Sequence, residues 1–65
     1  MNPEEIRAAR HTLGLSQVAL ADALGLSPLN GRRAISRWED GTVPVSGPAA
    51  LAIRYMLKYG PLDSL

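Results

Sequence analysis

The segment from Ser16 to Gly41 constrains the fold more than any other part of the chain. It runs Ser16-Gln17, Leu20-Ala21, Leu24-Gly25, a polar turn, and then Arg32-Arg33-Ala34-Ile35-Ser36-Arg37-Trp38-Glu39-Asp40-Gly41. Each half opens on a helix-start signal and closes at a glycine, so two short helices are encoded in succession. The second gathers three of the chain's seven basic residues on one face, with no acid before Glu39.

A chain of 65 residues is one small domain, spanning 1–65. At this size only about 60% of the unfolded surface is buried, so a lone monomer is marginal. Small domains make up the deficit with disulfides, a metal or a partner. There is no cysteine and a single histidine, His11, which removes disulfides and a metal centre. No cofactor is expected, and self-association is left as the extra support. The net charge of +1 does not by itself announce a polyanionic partner, so the distribution of charge carries the argument. The first ten residues hold four charges (Glu4, Glu5, Arg7, Arg10) and do not resemble a signal peptide. No stretch approaches the roughly 20 apolar residues of a membrane span. A soluble cytoplasmic protein with no membrane partner is the expectation.

Helix 1 is expected from about Pro3 to Leu13. Asn2 is the cap, Pro3 suits the first helical position, and Glu5 completes a capping-box spacing. Ile6, Ala9 and Leu13 form its buried stripe. Arg10 falls on that same stripe, where a charge needs a partner. Helix 2 is expected from about Gln17 to Leu24, capped by Ser16 and stopped by Gly25, with Leu20, Ala21 and Leu24 inward. Ala21 is small enough to let another helix approach closely. Leu26 to Asn30 reads as turn, because Ser27-Pro28 and Asn30-Gly31 are both breaker pairs. Helix 3 is then expected to start near Gly31 or Arg32, with Asn30 as its cap, and to end at Asp40-Gly41. A start at Ser27-Pro28 is the alternative; it places Gly31 inside the helix at a cost of about 1 kcal/mol relative to alanine. Ile35, Trp38 and Glu39, with Ala34, form the inward face of helix 3. Arg33, Ser36 and Arg37 lie opposite, with Arg32 one turn before Ser36. A loop carries Val43 and Val45 to the core edge. Helix 4 is expected from about 47 to 59, capped by Ser46. It is apolar on most faces, and such a helix calls for burial on more than one side. One side serves the core. The other is assigned to a dimer surface of Ile53, Tyr55, Met56 and Tyr59, with Leu62 in the tail. The fold class is therefore all-α, a compact domain of four to five helices.

An arginine-faced short helix set behind a small bracing helix suits the major groove of double-stranded DNA. Arginine can grip guanine O6 and N7 with two hydrogen bonds, worth about 1–3 kcal/mol of discrimination. Arg32 has a second role open to it, holding a phosphate, which positions without specifying. Gln17, at the exposed backbone N–H groups of the helix 2 start, is a candidate phosphate contact. Ser27 and Ser46, like Ser16, are explained as caps. No nucleophile–base pair, metal set or glycine-rich phosphate loop is present, so an enzyme is not expected.

These residues resemble the lambda-repressor-like (Xre/Cro-type) helix-turn-helix domains of phage repressors and bacterial regulators. The resemblance rests on Arg10, Leu13-Gly14-Leu15-Ser16-Gln17, Leu20-Ala21, Leu24-Gly25 and Ile35-Ser36-Arg37-Trp38-Glu39-Asp40-Gly41, and covers roughly residues 4 to 58. It implies a helix-turn-helix over about 16–41, with Gln17 contacting a phosphate and buttressing the reading helix. It places Arg32 and Arg33 first on that helix, Ser36 and Arg37 on its next outward turn, and Arg10 with Glu39 in an ion pair between helices 1 and 3. Asn30 at the helix entry and Thr42 in the following loop complete the DNA-contacting set. Relatives often carry basic residues in that loop, so the clamp here is weaker. The chain also departs from the pattern: Gly25 to Ile35 is about four residues longer than usual, which implies an expanded turn at Pro28-Leu29-Asn30-Gly31.

The function implied is a transcriptional regulator, a homodimeric repressor of phage or mobile-element type that occupies an inverted-repeat operator. An antitoxin binding both DNA and a toxin protein is the rival reading, and a protein-interaction module without DNA is a third.

Overall fold

Asn2 begins the first helix by reciprocal capping. Its side chain accepts from the Glu5 N–H at 2.8 Å, and its own N–H donates to Glu5 Oε1 at 2.9 Å. The computed structural model describes residues 1–60, and among these the order is α1 (Pro3–Thr12), α2 (Gln17–Ala23), α3 (Pro28–Asp40) and α4 (Gly47–Tyr59), with no strand. The all-α expectation holds for these residues. Ser16 caps α2 by accepting from the Ala19 N–H at 3.0 Å. Ser27 and Ser46 occupy the corresponding positions before α3 and α4, but neither makes a side-chain capping bond.

The start of α3 is where the structure departs furthest from expectation. The helix begins at Pro28, not at Gly31 or Arg32, and Asn30 lies in its first turn and not at a cap. There is no expanded turn. Leu26 donates to the Ala21 carbonyl at 2.9 Å and Gly25 to the Asp22 carbonyl at 3.0 Å, which closes α2 in a Schellman motif. Gly25 adopts φ 75°, the left-handed conformation this motif requires. The chain then enters α3 through Ser27, and Pro28-Leu29-Asn30-Gly31 add a turn to the front of the helix.

Gly31 inside this helix has a packing reason. It is buried, and a Cβ built on it would lie 2.7 Å from the Leu26 Cβ and 2.8 Å from the Ala21 Cβ. Close approach of α3 to the end of α2 therefore needs hydrogen at this position. Helix propensity alone disfavours glycine there; tertiary contact overrides it.

The core gathers Ile6 and Ala9 of α1, Leu20 and Ala21 of α2, Ile35 and Trp38 of α3, and Ile53 and Met56 of α4. Leu13, Leu24 and Val45 pack against it while partly exposed, whereas Val43 stays at the surface. α3 is held mainly by α2 and α1, and α4 packs on α1. Ile53 and Met56 are fully buried within the monomer, so they are withdrawn from the expected dimer surface. The all-round apolar sequence of α4 offered no period to separate its two faces. Tyr55 and Tyr59 do face outward, and Leu62 lies outside the described residues. No helix among the described residues is long and apolar enough to cross a membrane.

Candidate nucleic-acid interface

Glu39 is the hinge of the site's architecture. It is a buried carboxylate, 6% exposed, on the inward face of α3. Arg10 of α1 grips it with both ends of its fork, Nε donating to Oε2 at 2.6 Å and Nη2 to Oε1 at 3.2 Å. The remaining guanidinium nitrogen, Nη1, donates to the Leu15 carbonyl at 3.1 Å, which ties in the α1–α2 connection. Such a bidentate, charge-assisted contact fixes orientation as well as contributing energy. Arg7, one turn before Arg10, adds a looser contact with Nε 3.7 Å from Glu39 Oε1. It was not among the sequence candidates, although its place three residues before Arg10 puts it on the same side of α1. Burial pushes the Glu39 carboxyl up, but hydrogen bonding and charge from Arg10, with Gln17 and Arg7, outweigh it and hold its pKa below the ordinary value.

Gln17, the first residue of α2, turns its amide toward this cluster, Nε2 donating to Glu39 Oε1 over a long 3.5 Å. Its side chain links α2 to α3 directly. Three helices thus meet on one carboxylate, and α3 is fixed in rotation about its own axis.

That rotation decides what α3 shows to the outside. With Gly31, Ile35, Trp38 and Glu39 turned in, the outer face carries Leu29, Arg33, Ser36, Arg37 and Asp40, flanked by Arg32 and Asn30. All seven are exposed. The ion pairs found among the described residues are those of Glu39 with Arg7 and Arg10, so Arg32, Arg33 and Arg37 carry none there. The structure brings Arg33, Ser36 and Arg37 together on one exposed helix face, with Arg32 at its edge. Because α3 starts a turn early, Arg32 is its fifth residue and not its first. Trp38 is buried among core residues and does not offer a ring for base stacking.

Thr42 is withdrawn from the contact set. Its hydroxyl donates to Asp40 Oδ1, and its N–H bonds both that atom and the Arg37 carbonyl. No donor is left for a phosphate, and the adjacent carboxylate repels one. The bonds from Thr42, side chain first and then backbone, hold the Asp40 carboxyl below its ordinary pKa. Asp40 and Thr42 therefore serve to close the C-terminal end of α3, where Gly41, at φ 85°, donates to the Arg37 carbonyl.

On the outside of α4, Leu51, Tyr55 and Tyr59 recur every fourth residue and are 67%, 43% and 58% exposed. The two tyrosine rings stack obliquely with centroids 4.7 Å apart, and Lys58 Nζ lies 5.2 Å from the Tyr59 ring. An apolar groove of about 250 Å³ lies on the inner side of α3, lined by Leu24, Leu26, Ala34, Trp38 and Ala49. No group of three or more His, Cys, Asp or Glu side chains able to hold a metal occurs among the described residues.

Comparison of the chain with family models, with curated proteins and with solved structures gave no match.

Proposed function

We propose that this chain is a sequence-specific double-stranded DNA-binding regulator, built as a lambda-repressor-like helix-turn-helix of α2 and α3. The observation that carries the reading is the free face of α3. Arg33, Ser36 and Arg37 stand exposed on it with Arg32 at its flank, while its other face is locked to α1 and α2. A helix of this kind fits the major groove, and arginine is the side chain best matched to guanine edges. α2 braces α3 through the Gly31–Ala21 approach and through Gln17.

The regulator acts as a homodimer in the cytoplasm, with the outer stripe Leu51, Tyr55 and Tyr59 of α4 as the contact between copies. The described fold measures 31 × 22 × 20 Å. Two such bodies side by side suit half-sites spaced by one turn of DNA, about 34 Å. Occupying an inverted repeat over a promoter represses transcription without any further chemistry. The same apolar stripe supports the second reading, an antitoxin whose α4 meets a toxin protein. Co-purification with a neighbouring gene's product at fixed stoichiometry selects the antitoxin; a stable homodimer alone selects the repressor.

The test is a footprint on the DNA surrounding the chain's own gene. The regulator reading expects a protected inverted repeat and affinity that falls steeply with salt. Absence of any specific site at low salt contradicts it.

A further inference from the structure

The turn that the structure adds to the front of α3 places a large apolar side chain on the arginine face. Leu29 is 58% exposed, the second residue of α3, and four residues before Arg33. Residues four apart lie on the same side of a helix, about 6 Å apart along its axis. No element among the described residues buries it. Its neighbours on that face, Arg33, Ser36, Arg37 and Asp40, are all polar or charged. The other exposed large apolar residues lie off this face: Val18 on α2, Leu26 and Val43 in the connections before and after α3, and Leu51, Tyr55, Leu57 and Tyr59 on α4.

A surface that meets DNA edges offers a leucine one complementary feature. Of the four base pairs, only those with thymine present an apolar group in the major groove, the C5-methyl. We propose that Leu29 reads a thymine methyl within one or two base pairs of the guanine held by Arg33. The step along α3 from Leu29 to Arg33 is about 6 Å, close to two base-pair rises of about 3.4 Å. The half-site therefore pairs an apolar contact at its entry with a guanine contact further in. This inference rests on the DNA-reading function proposed above, and it assigns the added turn of α3 a role in specificity.

Deoxyuridine tests it atom by atom, since it differs from thymidine by the methyl group alone. Duplexes selected by the full-length protein from a random pool are resynthesised with each thymine replaced singly by deoxyuridine. Wild-type protein is expected to lose about fourfold in affinity at one thymine of each half-site, the order of one buried methyl group. Leu29→Ala is expected to bind the thymine and deoxyuridine duplexes equally at that position and to keep its guanine preference. Because Leu29 is exposed, its melting curve should match the wild type. A selected site at which no deoxyuridine replacement matters to the wild type overturns the inference and leaves the DNA-reading function standing. Undiminished thymine preference in Leu29→Ala overturns it equally. A pool that yields no enriched sequence overturns both the function and the inference.

Discussion

Arg10 Nε sits 2.6 Å from Glu39 Oε2, and this contact joins the first helix to the inward face of the helix that carries the arginines. The pair is largely shielded from solvent, at 15% and 5% side-chain exposure. Removing one member leaves the other buried and unpaired, which costs about 3–5 kcal/mol. A domain of this length has a total stability of roughly 3–10 kcal/mol. Glu39→Ala is therefore expected to leave the protein largely unfolded at 37 °C, measured by urea denaturation. Replacing both partners with apolar residues, Arg10→Met with Glu39→Leu, is expected to recover much of the loss. Equal damage from the single and double variants contradicts the desolvation account.

The depressed Glu39 pKa fixes how stability changes with acid. Its folded pKa lies below the ordinary value of 4.5, so its stabilisation is fully present above about pH 4.5 and is lost as pH falls through the folded value. Thermal melting should be flat with respect to this group near neutrality and drop below pH 4.5. Glu39→Gln should start lower and show a shallower acid limb, with Asp40 supplying part of what remains. An unchanged acid limb in Glu39→Gln contradicts the assignment.

Gly31 makes a prediction of unusual sign. Glycine to alanine within a helix normally stabilises by about 1 kcal/mol. Here the added Cβ meets the Ala21 Cβ at 2.8 Å and the Leu26 Cβ at 2.7 Å. Overpacking of this kind costs about 1–3 kcal/mol. Gly31→Ala is expected to lower the denaturation midpoint, and a raised midpoint rules out the close α2–α3 approach.

The outer face of α4 separates association from folding. Leu51→Glu with Tyr55→Glu should yield a folded monomer by sedimentation and circular dichroism, because both side chains are exposed. Ile53→Glu should unfold the chain outright, since that residue is fully buried. A double variant that remains dimeric would place the contact between copies elsewhere.

Much of this architecture is legible in the residues. Asn2-Pro3 and Ser16 set the starts of α1 and α2 to within a residue, because capping chemistry is local, and Pro48 in the first turn marks the start of α4. That Arg10 needs a partner and that Glu39 faces inward could be read from their stripes, while the pairing itself is what the resemblance implies. The start of α3 could not be read in this way. Ser27-Pro28 and Asn30-Gly31 both signal a break, and only the distance from Gly31 to Ala21 and Leu26 shows which one the chain takes. The same misplacement hid Leu29, which read as a loop residue has no helix face. Ile53 and Met56 lie inward, which the sequence of α4, apolar nearly all round, does not reveal, because burial there is settled by what α1 offers and not by periodicity.

Base reading by the α3 arginines is the central claim, and a titration tests it most directly. The wild type, Arg33→Ala and Arg37→Ala are titrated by fluorescence anisotropy against the selected duplex and a scrambled one, over a series of salt concentrations. The account predicts that each variant folds normally, loses about 1–3 kcal/mol on the selected duplex, and loses much less on the scrambled one. Both variants binding the selected duplex as tightly as the wild type does would contradict it.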